Sequence, residues 1–190
     1  MRSNVEPADG VYCCFTTTQM GEVLVASSAN GVCALEFVCS GRSDALAAVR
    51  RRFPDACVTE NLSGFNAMAI RYISAGVGLF EGNEGMAGEC PPLDLRGTSF
   101  QLKVWRRLLE IPRGETRTYA QIARLAGNPT AVRAVANAIA ANPVAVIVPC
   151  HRVVRSDGTP GGYRWGSWLK TRLLDFEKDV SHSPYVIRNN

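Results

Sequence analysis

Five glycines fall within the thirteen residues from Gly76 to Gly88. Such a run does not sit inside a helix or a strand, because each glycine surrenders more backbone freedom on folding than any other residue. The chain is therefore expected to fold as two structured parts on either side of a flexible loop or linker at 76–91. That divides it into an N-terminal domain, 1–90, and a C-terminal domain, 91–190. Charge divides in nearly the same place: residues 1–95 carry six Lys/Arg against eleven Asp/Glu, and residues 96–190 carry fifteen against six, so the halves stand at −5 and +9. A polyanion would engage the second half, although a solvated basic face gives the same count.

With 190 residues, 46% hydrophobic and 20% charged, the chain has the composition of an ordinary soluble globular protein. Glu6 and Asp9 interrupt the first twenty residues, and the apolar run Val144–Val148 is far too short to span a bilayer. Neither a signal peptide nor a membrane helix is expected, which suggests a cytoplasmic protein. Seven cysteines, an odd number without a CxxC pair, fit a reduced compartment better than a disulfide framework. A zinc site from Cys13, Cys14, Cys33 and Cys39 would match no established spacing, so these thiols are read as small buried hydrophobes and no metal is expected.

The first half alternates as strands do. A strand near Tyr12–Thr17, a second through Val23 and Val25, and a third through Cys33, Leu35 and Phe37, with the hairpin signal Asn30-Gly31, make a three-stranded antiparallel meander. Asp44–Phe53 and Phe65–Ile73 read as amphipathic helices, the first stopped by Pro54. The second half is helical. Thr98 and Gln101 form a capping box for a helix carrying Phe100, Val104, Trp105, Leu108 and Leu109 inward, and Thr118 and Gln121 repeat the box for a helix through Ala126. Gly127-Asn128-Pro129 is then a tight turn, with Asn128 capping a helix that runs from Pro129 to Ala141, and the pair reads as helix-turn-helix. On that second helix Val132, Val135 and Ile139 share one face. Arg133, Ala134, Asn137, Ala138, Ala140 and Ala141 lie opposite, a small-residue face able to approach a groove closely or merely an alanine-rich helix. The fold class is thus α+β, a small antiparallel sheet with helices followed by a mainly helical domain.

Val144–Val148 is β-branched and reads as a buried strand leading into Pro149-Cys150-His151-Arg152. A strand-end cysteine beside His and Arg has cationic neighbours and a fixed backbone, as a thiolate needs. In extended conformation Cys150 and His151 would point to opposite faces, so contact requires a turn, which Pro149 favours, or a bridging water. On these neighbours alone Cys150 would remain a buried structural thiol.

The longer string changes that. Val148-Pro149-Cys150-His151-Arg152-Val153-Val154, after Asn142-Pro143 and before Gly162-Tyr163-Arg164-Trp165-Gly166, resembles the O6-alkylguanine-DNA alkyltransferases, or methylated-DNA-protein-cysteine methyltransferases, of bacterial type. The likeness runs from about Leu93 to Glu177 and takes in Arg96-Gly97-Thr98, Phe100-Gln101, Val104-Trp105, Ile111-Pro112, Gly114-Glu115-Thr116, Tyr119 and Arg133-Ala134-Val135. The resemblance implies an N-terminal domain of ribonuclease H-like layout and a single-turnover DNA-repair reaction without cofactor, carried out by a monomer on double-stranded DNA containing O6-alkylguanine, with O4-alkylthymine a further candidate. It makes Cys150 the alkyl acceptor, His151 its base through a water, and Glu177 the group that orients the imidazole. Tyr119 becomes the proton donor to the leaving base, and Asn142 a hinge residue bonded to nearby backbone. Arg133 would fill the stack after base flipping, with Ala134, Asn137, Thr98 and Tyr119 also on DNA. Tyr119, Ile139, Val153, Gly162, Tyr163 and Arg164 would line the pocket.

The first half matches this pattern only in layout, and Leu169 stands before Lys170 where bacterial relatives often carry a basic residue. A salt bridge is the bland reading of Glu177. Two other classes compete: a Cys-His hydrolase with Cys150, His151 and Glu177 as a triad, which would turn over, and a helix-turn-helix sensor, which would need sequence-specific DNA. A chain of 190 residues is not expected to hold an additional regulatory domain.

Overall fold

The structure, a computed structural model, describes residues 10–59, 62–77 and 89–181. It is of mixed α and β class and divides into two compact units. Among the described residues, one comprises those up to 96 together with 143–147, and the other 97–142 together with 148–181.

The first unit is built on strands β1 (Tyr12–Thr18), β2 (Gly21–Ser28) and β3 (Gly31–Phe37), an antiparallel meander to which β4 (Cys57–Val58) adds in parallel beside β1. Helices α1 (Arg42–Arg50) and α2 (Gly64–Val77) both pack on β2 and β3. Alternation along β1 decides where its cysteines go. Cys13 faces the α1 side with Leu24, Ala26, Cys33, Ala45 and Val49, whereas Cys14 faces Asn66 on α2. The two thiols on opposite faces cannot share one ion, and among the described residues no group of His, Cys, Asp or Glu is placed to hold a metal. All seven cysteines are free.

Two expectations shift here. The loop expected at 76–91 starts later, because α2 continues through Gly76 and Val77, its buried Ala69, Ile70 and Ile73 outweighing the roughly 1 kcal/mol a helical glycine costs; residues 78–88 lie outside the described residues. The boundary falls at Arg96/Gly97 rather than 90/91, since Pro92–Asp94 pairs along the edge of β3: Val32 N donates to Pro92 O at 2.8 Å and Asp94 N to Val32 O at 2.9 Å. That pairing also explains Gly31. The two-residue turn is Ala29-Asn30, and a Cβ on Gly31 (φ +143°) would lie 2.3 Å from Pro92 O.

Burial pushes the Cys13 and Cys33 thiols up to about 12, and Cys14 to about 11. A raised acid contributes stability that is complete below its ordinary value near 9 and is lost as pH rises toward the folded value. Each thiol should cost about 1.4 kcal/mol per pH unit above 9. Melting temperature is therefore expected to fall steeply above pH 9, and a Cys13→Ala/Cys33→Ala double variant to fall less steeply; equal slopes would refute the assignment.

In the second unit α3 (Ser99–Leu109) and α4 (Tyr119–Leu125) each open with a complete capping box, Thr98 with Gln101 and Thr118 with Gln121. Helix α5 spans Val132–Ala140 and α6 Ser167–Ser181. The α5 start differs from the Pro129 expectation. Ala131 N bonds Asn128 O, so residues 128–131 form a turn, and Ala131 occupies the cap position with no side-chain cap bond. The buried face of α5 is accordingly Val135, Ala138 and Ile139, with Val132 exposed; Ala138 packs inward because its carbonyl accepts the Trp105 indole N–H at 2.8 Å. On α3, Val104, Trp105 and Leu108 are buried as expected, whereas Leu109 is exposed. Among the described residues no helix is long and apolar enough to cross a membrane.

Val144–Val148 is buried but is not a strand. Only Val144 bridges, to Leu35 on β3; Ile147 N then turns back to Ala145 O at 2.7 Å around Val146, whose φ is +67°. A β-branched residue in that region is strained.

Candidate active site

The backbone around Cys150 is set by Pro149. Its φ of −81° and ψ of 62° are those of an inverse γ-turn, closed by Cys150 N donating to Val148 O at 2.8 Å. Cys150–Arg152 then forms a single 3-10 turn running into β6 (Val153–Val154), which pairs in parallel with β5 (Arg117–Thr118). This pairing brings Tyr119, the first residue of α4, to the cysteine segment.

Cys150 and Asn142 are buried. The Asn142 amide nitrogen donates to Val148 O at 2.8 Å and to Cys150 Sγ at 3.1 Å. The carbonyl acceptor fixes which way the amide faces, so its second hydrogen is aimed at sulfur. Burial pushes the Cys150 thiol up, opposed by the bonds from Asn142 and Tyr163 and by the Lys170 charge. The resting group is a thiol, held where donors favour the thiolate once it forms.

Behind it lies a buried chain. His151 Nε2 is 2.9 Å from Glu177 Oε1. Burial lowers the His151 pKa against the pull of the carboxylate, so the ring is neutral. Its proton belongs on Nε2, facing the carboxylate, and Nδ1, buried without a hydrogen-bond partner among the described residues, is left as an acceptor. For Glu177, burial acts to raise the pKa, but bonds from His151 and Arg152 bring it well below the usual carboxylate range. The Arg152 guanidinium grips that carboxylate with Nε at 2.9 Å from Oε2 and Nη2 at 2.7 Å from Oε1, while Nη1 reaches Ile111 O at 2.6 Å. Arg152, expected as a cation for the thiolate, is instead the counter-ion of Glu177. Glu177 is fully buried: α6 turns Leu169, Lys170, Leu173, Leu174 and Glu177 inward, leaving Phe176 at the edge.

Lys170 is the residue that pattern reading passed over. Its buried ammonium donates to Val153 O and lies 5.9 Å from the Tyr119 ring centroid. Burial brings its pKa down to about 8, with Arg155 adding to the shift and Cys150 opposing it. The available signal was its place on the inner stripe of α6, four residues before Leu174 and seven before Glu177.

Cys150, His151, Glu177, Asn142, Tyr119 and Tyr163 therefore converge, with the Val153 carbonyl beside Lys170. Arg164 Nη1 donates to Asn142 O at 3.4 Å and its guanidinium covers the Trp165 ring, while a Cβ on Gly162 would meet only open space. Ile139 is buried on α5, whose exposed side carries Arg133, Ala134 and Asn137. Thr98 sits elsewhere, its hydroxyl accepting from Gln101 N at the α3 cap.

Residues 99–179 match the family model for the 6-O-methylguanine DNA methyltransferase DNA-binding domain. The chain is 42% identical over 132 residues to the inducible methylated-DNA–protein-cysteine methyltransferase of Bacillus subtilis, covering 70% of each. It is 43% identical over 163 residues to the bifunctional transcriptional activator/DNA repair enzyme Ada of Escherichia coli, covering 85% of this chain and 44% of that one. Overall it spans about half the length of the first curated relatives it matches. A crystal structure of Mycobacterium tuberculosis OGT in complex with DNA superposes with a TM-score of 0.69 at 32% identity, over 88% of this chain and 93% of that one. On fold, site and these likenesses together, the chain belongs to the O6-methylguanine-DNA methyltransferase family, the methylated-DNA–protein-cysteine methyltransferases.

Proposed function

We propose that this protein repairs O6-alkylguanine in double-stranded DNA by moving the alkyl group irreversibly onto Cys150, one group per chain. The observation that carries the reading is the buried thiol with donors aimed at its sulfur and a neutral His151 backed by Glu177 and Arg152. His151 Nδ1 takes the Cys150 proton through a water, and the Asn142 amide receives the thiolate. Sulfur then attacks the alkyl carbon in line, the carbon–oxygen bond breaks with its electron pair going to the base, and the Tyr119 hydroxyl protonates the base. A thioether has no good leaving group, so turnover stops at one.

The target oxygen is out of a thiol's reach inside a duplex, so the nucleotide must flip out at a cost of a few kcal/mol. In this reading α4 and α5 form a helix-turn-helix, and the exposed side of α5 enters the minor groove. Arg133 fills the vacated stack while Ala134, Asn137, Thr98 and Tyr119 contact DNA. Ile139, Val153, Gly162, Tyr163 and Arg164 line the pocket, with O4-alkylthymine a further substrate. The first unit takes a ribonuclease H-like layout, and the protein acts as a cytoplasmic monomer without cofactor. Its relatives' names, which include a DNA repair enzyme and methylated-DNA–protein-cysteine methyltransferases, support the assignment.

Intact-mass measurement after exposure to excess O6-methylguanine DNA tests it. Expected is a gain of one methyl per chain, abolished by Cys150→Ala. Repeated turnover would favour a hydrolase, and a gain that survives Cys150→Ala would remove the acceptor.

A further inference from the structure

Two side chains of the second unit converge on Gly161. A Cβ placed there would lie 3.5 Å from the Tyr119 hydroxyl and 3.4 and 3.6 Å from Cγ and Nε of Arg155. The φ of +71° at Gly161 is one that glycine adopts freely, and both groups lie at ordinary van der Waals distance from where a Cβ would sit. The Arg155 backbone is set by its own turn: its N–H donates to Thr159 O at 2.9 Å, and Gly158 N donates to Arg155 O at 3.0 Å. Asp157, the carboxylate of that turn, is engaged by the Thr159 N–H at 2.9 Å and hydroxyl at 2.7 Å. Among the described residues the Arg155 guanidinium has no carboxylate in ion-pair contact. It is an exposed cation whose charge acts on the Tyr119 phenol across Gly161 and, more weakly than the Thr159 bonds do, on Asp157.

We propose that Arg155 acts through Tyr119 in the transfer step, its cation stabilising the phenolate left when Tyr119 gives its proton to the departing base. This rests on the transfer reading above. The sulfur–carbon bond forms as the carbon–oxygen bond breaks, and that electron pair goes to the base. The Tyr119 O–H bond then breaks; the proton goes to the base, the pair stays on the tyrosine oxygen, and solvent later restores the proton. Three groups bear on Tyr119: Cys150 from the 3-10 turn, Lys170 from α6, and Arg155 from the loop after β6. Burial and the Cys150 charge disfavour the phenolate, whereas Arg155 favours it. Alkylation cancels the thiolate charge in the same event that creates the phenolate, so Arg155 then faces one anion rather than two. Arg155 is thus a positioning residue for Tyr119.

The test is single-turnover methyl transfer at saturating O6-methylguanine DNA, from about pH 6 to about pH 9, with Arg155→Gln and Arg155→Lys. Arg155→Gln should slow the saturating rate about tenfold, and Arg155→Lys should recover most of it. In a Tyr119→Phe background Arg155→Gln should add no further loss. An ultraviolet titration without DNA, with Tyr119→Phe as the blank, should show the Tyr119 phenolate forming at higher pH in Arg155→Gln. The proposal is overturned if the loss appears only in DNA affinity and its salt slope, which marks a phosphate contact, or if it persists without the Tyr119 hydroxyl. The titration needs no substrate, so it reads the Arg155–Tyr119 coupling even if the wild-type chain accepts no methyl, the result that would defeat the transfer reading itself.

Discussion

Glu177→Gln should slow alkyl transfer by roughly two to four orders of magnitude and lower the melting temperature by roughly 10 °C. Glu177 and His151 are fully buried and Arg152 nearly so, and removing one partner of a buried pair costs about 3–5 kcal/mol because the other charge is left uncompensated. A glutamine oxygen can still accept from His151 Nε2, but its amide hydrogens would face the Arg152 fork. The imidazole would keep its tautomer and lose the negative charge that makes Nδ1 basic. The acid limb of stability should change as well. Both groups have depressed values, so each contributes stability that is present above its ordinary pKa and lost as pH falls: His151 below about 6.5, then Glu177 below about 4.5. Glu177→Gln should abolish the second loss. Single-turnover rates and pH-dependent melting measure both effects, and wild-type rates in this variant would reduce Glu177 to a structural ion.

Tyr119→Phe should slow transfer at saturating DNA by about two to four orders of magnitude. Tyr119 is half-buried near Cys150, Gly161 and Lys170, and in the proposed transfer its hydroxyl supplies the proton to the leaving base. The capping box of α4 uses Thr118 and Gln121 rather than Tyr119, so the helix start should survive. A longer plateau, with the same one methyl per chain at long times, separates a slowed step from a damaged acceptor. Unchanged rates would mean that the base leaves as an anion or takes its proton elsewhere.

Local signals were legible where chemistry is local. The two capping boxes and the antiparallel meander follow from residue type and spacing, because a cap bond spans three residues and strand alternation repeats every two, whereas the cysteine string stood out through its resemblance to the alkyltransferases. The β-branched 144–148 segment misled, since propensity favours a strand there while pairing to β3 lasts only one residue before the chain must bend. The α5 start and the inward face of Ala138 were missed for a related reason: helix phase is decided by what packs on the helix.

Through its resemblance to a family, the sequence singled out Cys150 among the seven thiols and implied that His151, Glu177, Asn142 and Tyr119 belong with it, all within the basic half. Only the tertiary structure decided that Arg152 serves Glu177 rather than the thiolate, that Lys170 lies inside beside Tyr119, and that Arg155 meets Tyr119 across Gly161. Those relations join residues from separate elements through β5–β6 pairing and the rotation of α6, and a buried charge chooses its partner by which one lies within hydrogen-bond reach, a property of the fold that spacing along the chain does not encode.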